Sequence, residues 1–230
     1  MANTSKKTLS IDVVSDVVCP WCYIGKRHLE AALATWRASS PLAETTDVHV
    51  RWHPFQLNPD LPAEGVDRQG YLENKFGGKA RAAEIYARVG AAGRSAGLVL
   101  NFDGIARQPN TLAAHALIAF VQQHQPDRAD ALVERLFQAY FIDGRFIGDV
   151  DVLVAIASEC GLDAASVRAA ISDPWTLEKI SAQDQTVRSQ GVTGVPFFVF
   201  NNQTALSGAQ PPELIARAMS EALQQPVTPV

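Results

Sequence analysis

Two cysteines separated by two residues, Cys19-Pro20-Trp21-Cys22, are the side chains of this 230-residue chain best suited to chemistry. A pair at this spacing either cycles between dithiol and disulfide or supplies two of the four ligands of a zinc ion. The zinc reading needs two more ligands; the sequence offers no second cysteine pair, and its His-x₃-His pair, His49 and His53, falls where the chain alternates as a strand, which would hold the two rings about 13 Å apart. No metal is therefore expected. The third cysteine, Cys160, falls on an apolar helical stripe and reads as a small core residue, with a third redox thiol as the alternative. Asp12 and Asp16, just upstream, are the local carboxylates, suited either to moving a proton or to holding a strand end.

The attacking sulfur in thiol–disulfide exchange is a thiolate, so something must favour the ionised form. Leu9 to Ser15 is β-branched and aliphatic, as a strand buried on both faces would be. From Trp21 onward Gly25, Leu29, Ala32, Leu33 and Trp36 recur at helical spacing, with Lys26, Arg27, Glu30 and Arg37 on the other face. This predicts a helix whose first turn contains the pair, with Cys19 exposed at its start and Cys22 one turn inside. A helix N-terminus carries the equivalent of roughly half a positive charge, which favours a thiolate at Cys19 more than at Cys22. Cys19 is thus the expected nucleophile and Cys22 the resolving thiol. Pro20 suits a first turn because it has no N–H to leave unpaired. Trp21 adds no charge, so a moderately reducing or intermediate potential is expected.

Val48 to Trp52 alternates as a second strand, completing a βαβ unit before Pro54, Pro59 and Pro62 break regular structure. Between about Asp67 and Gln190 the periodicity is almost entirely helical. Gly77-Gly78 and Gly97 read as helix stops, Leu98 to Phe102 as a short extended segment, and Asn110 or Thr111, Asp163 and Asp173 as helix caps. Phe197 to Phe200 is the strongest strand signal; Asn201-Asn202-Gln203 turns it into Ala205 to Ser207, and a last amphipathic helix follows from Pro212. A βαβ front, a ββα back and helices between them describe one sheet with an insertion.

A formal net charge of −4 and a sequence pI near 5.7 argue against a nucleic-acid partner. No run reaches membrane-spanning length and residues 1–10 lack the apolar core of a signal peptide, so no membrane partner and a cytoplasmic location are expected. Disorder is expected only at the chain ends. Without a secretory signal, the sequons at Asn3 and Asn202 carry no meaning.

Four groups of residues carry a family resemblance: Cys19 to Lys26; Pro54-Phe55-Gln56-Leu57-Asn58-Pro59; Pro109-Asn110-Thr111 with Ala114-His115; and Gly194 to Val199 with Ser207 to Gln210. Together they resemble the DsbA-like proteins of the thioredoxin superfamily, in particular the FrnE-type branch, over nearly the whole chain. The resemblance implies an α/β thioredoxin fold, βαβ plus ββα around a mixed central sheet, with an inserted all-helical domain. The halves would span 1–62 and 188–230, and the insertion 63–187. It also implies a cis peptide at Val195-Pro196 facing the cysteines, with the Val195 backbone free to pair with a peptide or thiol ligand. The start of the helix at Asn110-Thr111 would lie over the dithiol, although both residues also read as ordinary caps.

The expected function is thiol–disulfide exchange on protein or small-molecule disulfides, with no cofactor beyond the redox-active disulfide itself. Glutathione as co-substrate and a homodimer stay open. The residues expected to contact substrate are Trp21, Pro20, Val195, Pro196, Asn110 and Phe55. One rival is a glutathione-dependent isomerase or transferase, as in the kappa-class glutathione transferases and the hydroxychromene-carboxylate isomerases. Those relatives place a serine at the position of Cys19 and Ser-Asp at the positions of Ala209-Gln210, and this chain departs from both. A second rival is a chaperone-like module holding apolar peptide on Trp21, Phe55 and Leu57. Among the histidines, His53 reads as structural, His28 as solvated, and His115 and His124 as lacking an evident partner.

Overall fold

A computed structural model describes residues 6–224, so the expectations for the chain ends and for the Asn3 sequon lie outside the described residues. The chain opens with β1 (Lys7–Ser15) and α1 (Pro20–Ser39), followed by β2 (Thr46–Pro54). After the proline loop come β3 (Val66–Asp67), α2 (Arg68–Phe76) and α3 (Lys79–Ser95). Next are β4 (Arg107–Gln108), α4 (Leu112–His124), α5 (Ala129–Phe141), α6 (Val150–Glu159), α7 (Ala164–Ser172) and α8 (Pro174–Ser189). The chain then returns through β5 (Phe197–Phe200), β6 (Thr204–Ser207) and α9 (Pro212–Gln224).

The main sheet has the order β2-β1-β5-β6, with β1 parallel to β2 and antiparallel to β5, and β5 antiparallel to β6. This mixed α/β sheet flanked by helices is a thioredoxin fold with added helical elements. β1 is central because Leu9, Ile11 and Val13 are aliphatic and almost wholly buried. It can pair on both edges without exposing apolar surface. Asn201 and Asn202 both take positive φ, which produces the tight turn between β5 and β6 as the sequence predicts.

Helix starts follow the sequence where a short acid precedes them. Asp149, Asp163 and Asp173 each accept from backbone N–H groups at the starts of α6, α7 and α8. Gly97 sits at φ +76, and the N–H of Leu98 returns to the carbonyl of Gly93, closing α3. Two local expectations fail. Leu98 to Phe102 is not a strand, because Leu98 serves this helix cap and Phe102 begins a helical turn. Instead the two-residue strands β3 and β4 pair antiparallel, β3 at the edge of a stretch that reads as almost entirely helical and β4 between two of its helices. Such a short ribbon has no room to show alternation.

One core runs from the sheet into the helices between β2 and β5. Tyr23 of α1 stacks on Phe137 of α5 with ring centroids 4.8 Å apart, and its hydroxyl donates to Glu134 at 2.8 Å. Lys26, expected on a solvated face, is buried against Asp130, Glu134 and Glu30 because α5 covers it. These contacts clamp the helix that carries both cysteines.

Candidate active site

The turn after β1 aims the cysteine pair. Cys19 N–H bonds to the carbonyl of Asp16 at 3.0 Å, and Cys19 is the residue that caps α1, with Pro20 opening the helix. Cys19 therefore stands just before the first turn rather than in it. Its side chain makes no cap bond, so the sulfur is not spent on the helix backbone, and the first turn holds no acidic residue to oppose a thiolate. Both cysteines are free thiols.

Cys19 is only 4% exposed, which corrects the expectation of an exposed sulfur. The reason is α2 and α3, which fold across the helix start. A cleft of about 300 Å³ is lined there by Cys19, Pro20, Trp21, Tyr71, Tyr86 and Val195, among others. Trp21 is 42% exposed at this cleft. Cys22, at 2% exposure, lies behind Cys19. Burial pushes the Cys22 thiol well above its ordinary value, and the neighbouring Cys19 adds to the rise; Ser15 and the Asp16 backbone pull weakly the other way.

The Val195-Pro196 bond is cis, as the resemblance implies. The Cys19 thiol donates to the Val195 carbonyl with a sulfur–oxygen distance of 3.7 Å, which brings together two segments 176 residues apart. Gly25 makes this approach feasible. A Cβ at that position would lie 2.9 Å from Pro196 Cγ and 3.3 Å from Phe198 Cζ, closer than side chains pack.

Two expected contact residues lie elsewhere. Phe55 is 2% exposed, packed with Val14, Val187 and Val192 beneath the Arg188 guanidinium 4.0 Å from its ring, and it does not line the cleft. With Phe55 buried, the apolar patch expected for peptide holding loses one of its two aromatic members. Asn110 does not line the cleft either: its amide donates to the carbonyls of Leu61 at 2.8 Å and Pro59 at 3.3 Å, and its oxygen accepts from Leu112 N–H at 2.9 Å. It ties the proline loop to the start of α4. Thr111 is buried and caps α4 without a side-chain bond.

The carboxylates separate by location. Asp12 binds Arg51 at 2.8 Å and His53 at 2.7 Å, so both Asp12 and His53 are structural. Burial pushes the Asp12 carboxyl up, but these bonds outweigh it and hold the group below the ordinary carboxylate range. Asp16 is fully buried beside the dithiol turn, accepts from Leu57 N–H at 2.7 Å, and has His115 Nε2 at 3.5 Å from its other oxygen. His115 thus has a buried carboxylate for a neighbour, which sequence separation concealed, although its Nε2 makes no hydrogen bond. His28 is not free in solvent either, since its Nδ1 meets the Gln210 carbonyl at 2.9 Å. Cys160 is partly buried against the core at the end of α6, and burial raises its thiol. Among the described residues no cluster of His, Cys, Asp or Glu could hold a metal, and no helix is long and apolar enough to cross a membrane.

A dithiol at a helix start, facing a cis-proline peptide across a thioredoxin-fold sheet, is the geometry of thiol–disulfide exchange. A family model described as a DSBA-like thioredoxin domain matches residues 10–220. The chain belongs to this DsbA-like family. It is 27% identical over 216 residues to the uncharacterized protein YwbO of Bacillus subtilis, covering 93% of this chain and 97% of YwbO. It is 30% identical to the probable DsbA oxidoreductase SCO1869 from Streptomyces coelicolor, with a TM-score of 0.82 over 96% of this chain and 92% of that one. The cytosolic disulfide reductase DsbM from Pseudomonas aeruginosa, solved also with GSH, shares the fold at 18% identity, with a TM-score of 0.62 over 92% of this chain and 98% of DsbM. The family match and the likeness to SCO1869 support a general thiol–disulfide redox role for this DsbA-like chain. The Cys19–Cys22 pair is consistent with a redox-active dithiol that acts without a bound cofactor.

Proposed function

We propose that this DsbA-like protein is a cytoplasmic thiol–disulfide oxidoreductase of the FrnE-type branch, built as a thioredoxin-like unit, 1–62 with 188–230, around a helical insertion, 63–187. The observation that carries the reading is the bond from the Cys19 thiol to the Val195 carbonyl inside a cleft large enough for a thiol ligand. Pro20, Trp21 and Val195 form the substrate surface, and Pro196 backs it.

In the reductive direction the Cys19 thiolate attacks one sulfur of a substrate disulfide. A Cys19–substrate disulfide forms, and the other substrate sulfur leaves as a thiolate that takes up a proton. Cys22 then loses its proton and attacks the Cys19 sulfur; the Cys19–Cys22 disulfide forms and the second substrate thiol departs. Two electrons pass from the dithiol to the substrate, and an external thiol such as glutathione returns them. The high affinity of Cys22 for its proton slows its attack and so prolongs the Cys19–substrate disulfide. Run in reverse, the same steps form disulfides.

The neutral Pro20-Trp21 pair gives a potential between those of thioredoxin and periplasmic DsbA, roughly −270 to −120 mV. Redox titration against glutathione tests this, and a value as oxidising as DsbA contradicts it. Comparing wild type with Cys19→Ser tests the function itself. Disulfide reduction should vanish in the variant; if reduction and aggregation suppression both survive, Cys19 is not the nucleophile.

A further inference from the structure

The most unusual charge in the molecule is Arg68, the first residue of α2. It is 5% exposed, its Nε is buried with no hydrogen-bond partner, and none of the ion pairs among the described residues includes it. A guanidinium stays charged whatever its surroundings, and a buried charge is ordinarily paired. Arg68 has rings instead: its guanidinium carbon lies 4.9 Å from the Tyr86 ring centroid and 5.8 Å from that of Phe102. The guanidinium also hydrogen-bonds to the phenol oxygens of Tyr86 and Tyr140, which are neutral. Rings and dipoles offset part of the cost of burial but leave the guanidinium without an anion.

Arg68 lines a cavity of about 470 Å³ together with Leu72, Tyr86, Phe102 and Ile105. Three carboxylates share its wall, and none pairs with Arg68: Asp67 holds the Gly70 N–H at 2.7 Å, Glu73 accepts from Gln69 at 2.9 Å, and Asp103 stands at the Phe102 turn. Those acids, with Lys79 as the other cation on the wall, disfavour a multiply charged anion. A single planar carboxylate matches the guanidinium fork best. Leu72 and Tyr86 line this cavity and also the dithiol cleft, so the two spaces share a wall.

We propose that Arg68 anchors a carboxylate of the thiol or disulfide substrate, so that substrates bearing such a group beside the reacting sulfur are preferred. This rests on the thiol–disulfide reading above, and two chromogenic disulfides separate the two ideas. Dithiobis-nitrobenzoate carries a carboxylate on each ring, whereas dithiodipyridine is neutral. Pre-reduced wild type should react with both. Arg68→Met should slow the carboxylate probe by about tenfold or more while changing the neutral probe less than about twofold, and Arg68→Lys, which keeps the charge but not the fork, should fall between. Benzoate should inhibit the wild-type reaction with the carboxylate probe alone, a readout that does not depend on any variant folding. Equal slowing of both probes in Arg68→Met, together with no selective inhibition by benzoate, overturns the anion site and leaves the redox reading standing. Failure of reduced wild type to react with either probe overturns the redox reading, and the site with it.

Discussion

Gly25→Ala places a methyl group between the dithiol helix and the Pro196 ring. In the present backbone its Cβ would sit 2.9 Å from Pro196 Cγ and 3.3 Å from Phe198 Cζ, so the helix or the ring must shift by several tenths of an ångström. Overpacking of this kind costs about 1–3 kcal/mol. Alanine in a helix interior recovers about 0.8–1.0 kcal/mol over glycine, leaving a net loss of roughly 0–2 kcal/mol. For a chain of this size that lowers Tm by up to about 8 °C. Gly90 in α3 is the control, since a Cβ there would meet only Arg94 Nη1 at 3.6 Å and Phe102 Cε2 at 3.9 Å, ordinary contacts. Gly90→Ala should therefore raise Tm by roughly 1–4 °C. Because Cys19 heads the displaced helix and faces Val195, disulfide exchange should also slow in Gly25→Ala, by about three- to tenfold. Thermal unfolding followed by circular dichroism, alongside a disulfide-reduction assay, reads both effects. If Gly25→Ala is stabilised as much as Gly90→Ala with unchanged exchange, the close approach of helix and proline strand is not what positions the sulfur.

Further expectations concern protons and the remaining cysteine. The Cys22 thiol is raised in the fold, so above about pH 8.5 unfolded chains lose a proton that folded chains keep. Stability should fall with rising pH there, and Cys22→Ser should flatten that part of the profile in urea titrations. Asp12 titrates low in the fold, so its contribution is present above the ordinary carboxylate value of about 3.9 and lost as pH drops through the folded value. Asp12→Asn should cost about 1 kcal/mol at neutral pH, a small figure because Arg51 is exposed and His53 only half-buried, and should match wild type in strong acid. Cys160→Ser should leave the exchange rate unchanged, since Cys160 lines neither the dithiol cleft nor the cavity at Arg68.

What the sequence discloses and what it hides follows from range. The strand before Cys19, the helix after it, and the caps at Asp163 and Asp173 are written in neighbouring residues, so periodicity and capping chemistry expose them. The burial of Cys19 depends on α2 and α3 crossing over it, and that of Lys26 on α5, neither of which local patterning encodes. His115 and Asp16 are 99 residues apart, and only the packing of α4 against the sheet makes them neighbours. Phe55 and Asn110 stand out because of the motifs around them, yet they serve the scaffold: one is sealed under Arg188, the other holds the proline loop. Arg68 carries no sequence signal at all, because its significance lies in the partner it lacks.

The central claim is that Cys19 attacks and Cys22 resolves. Its most direct test is to expose reduced Cys22→Ser to a disulfide-containing peptide and read the product by intact-mass spectrometry, with tryptic mapping of the linkage. A mixed disulfide should accumulate at Cys19 and persist, whereas Cys19→Ser should trap none. Accumulation at Cys22 in the Cys19→Ser variant, with none at Cys19 in the other, would reverse the assignment and contradict the account.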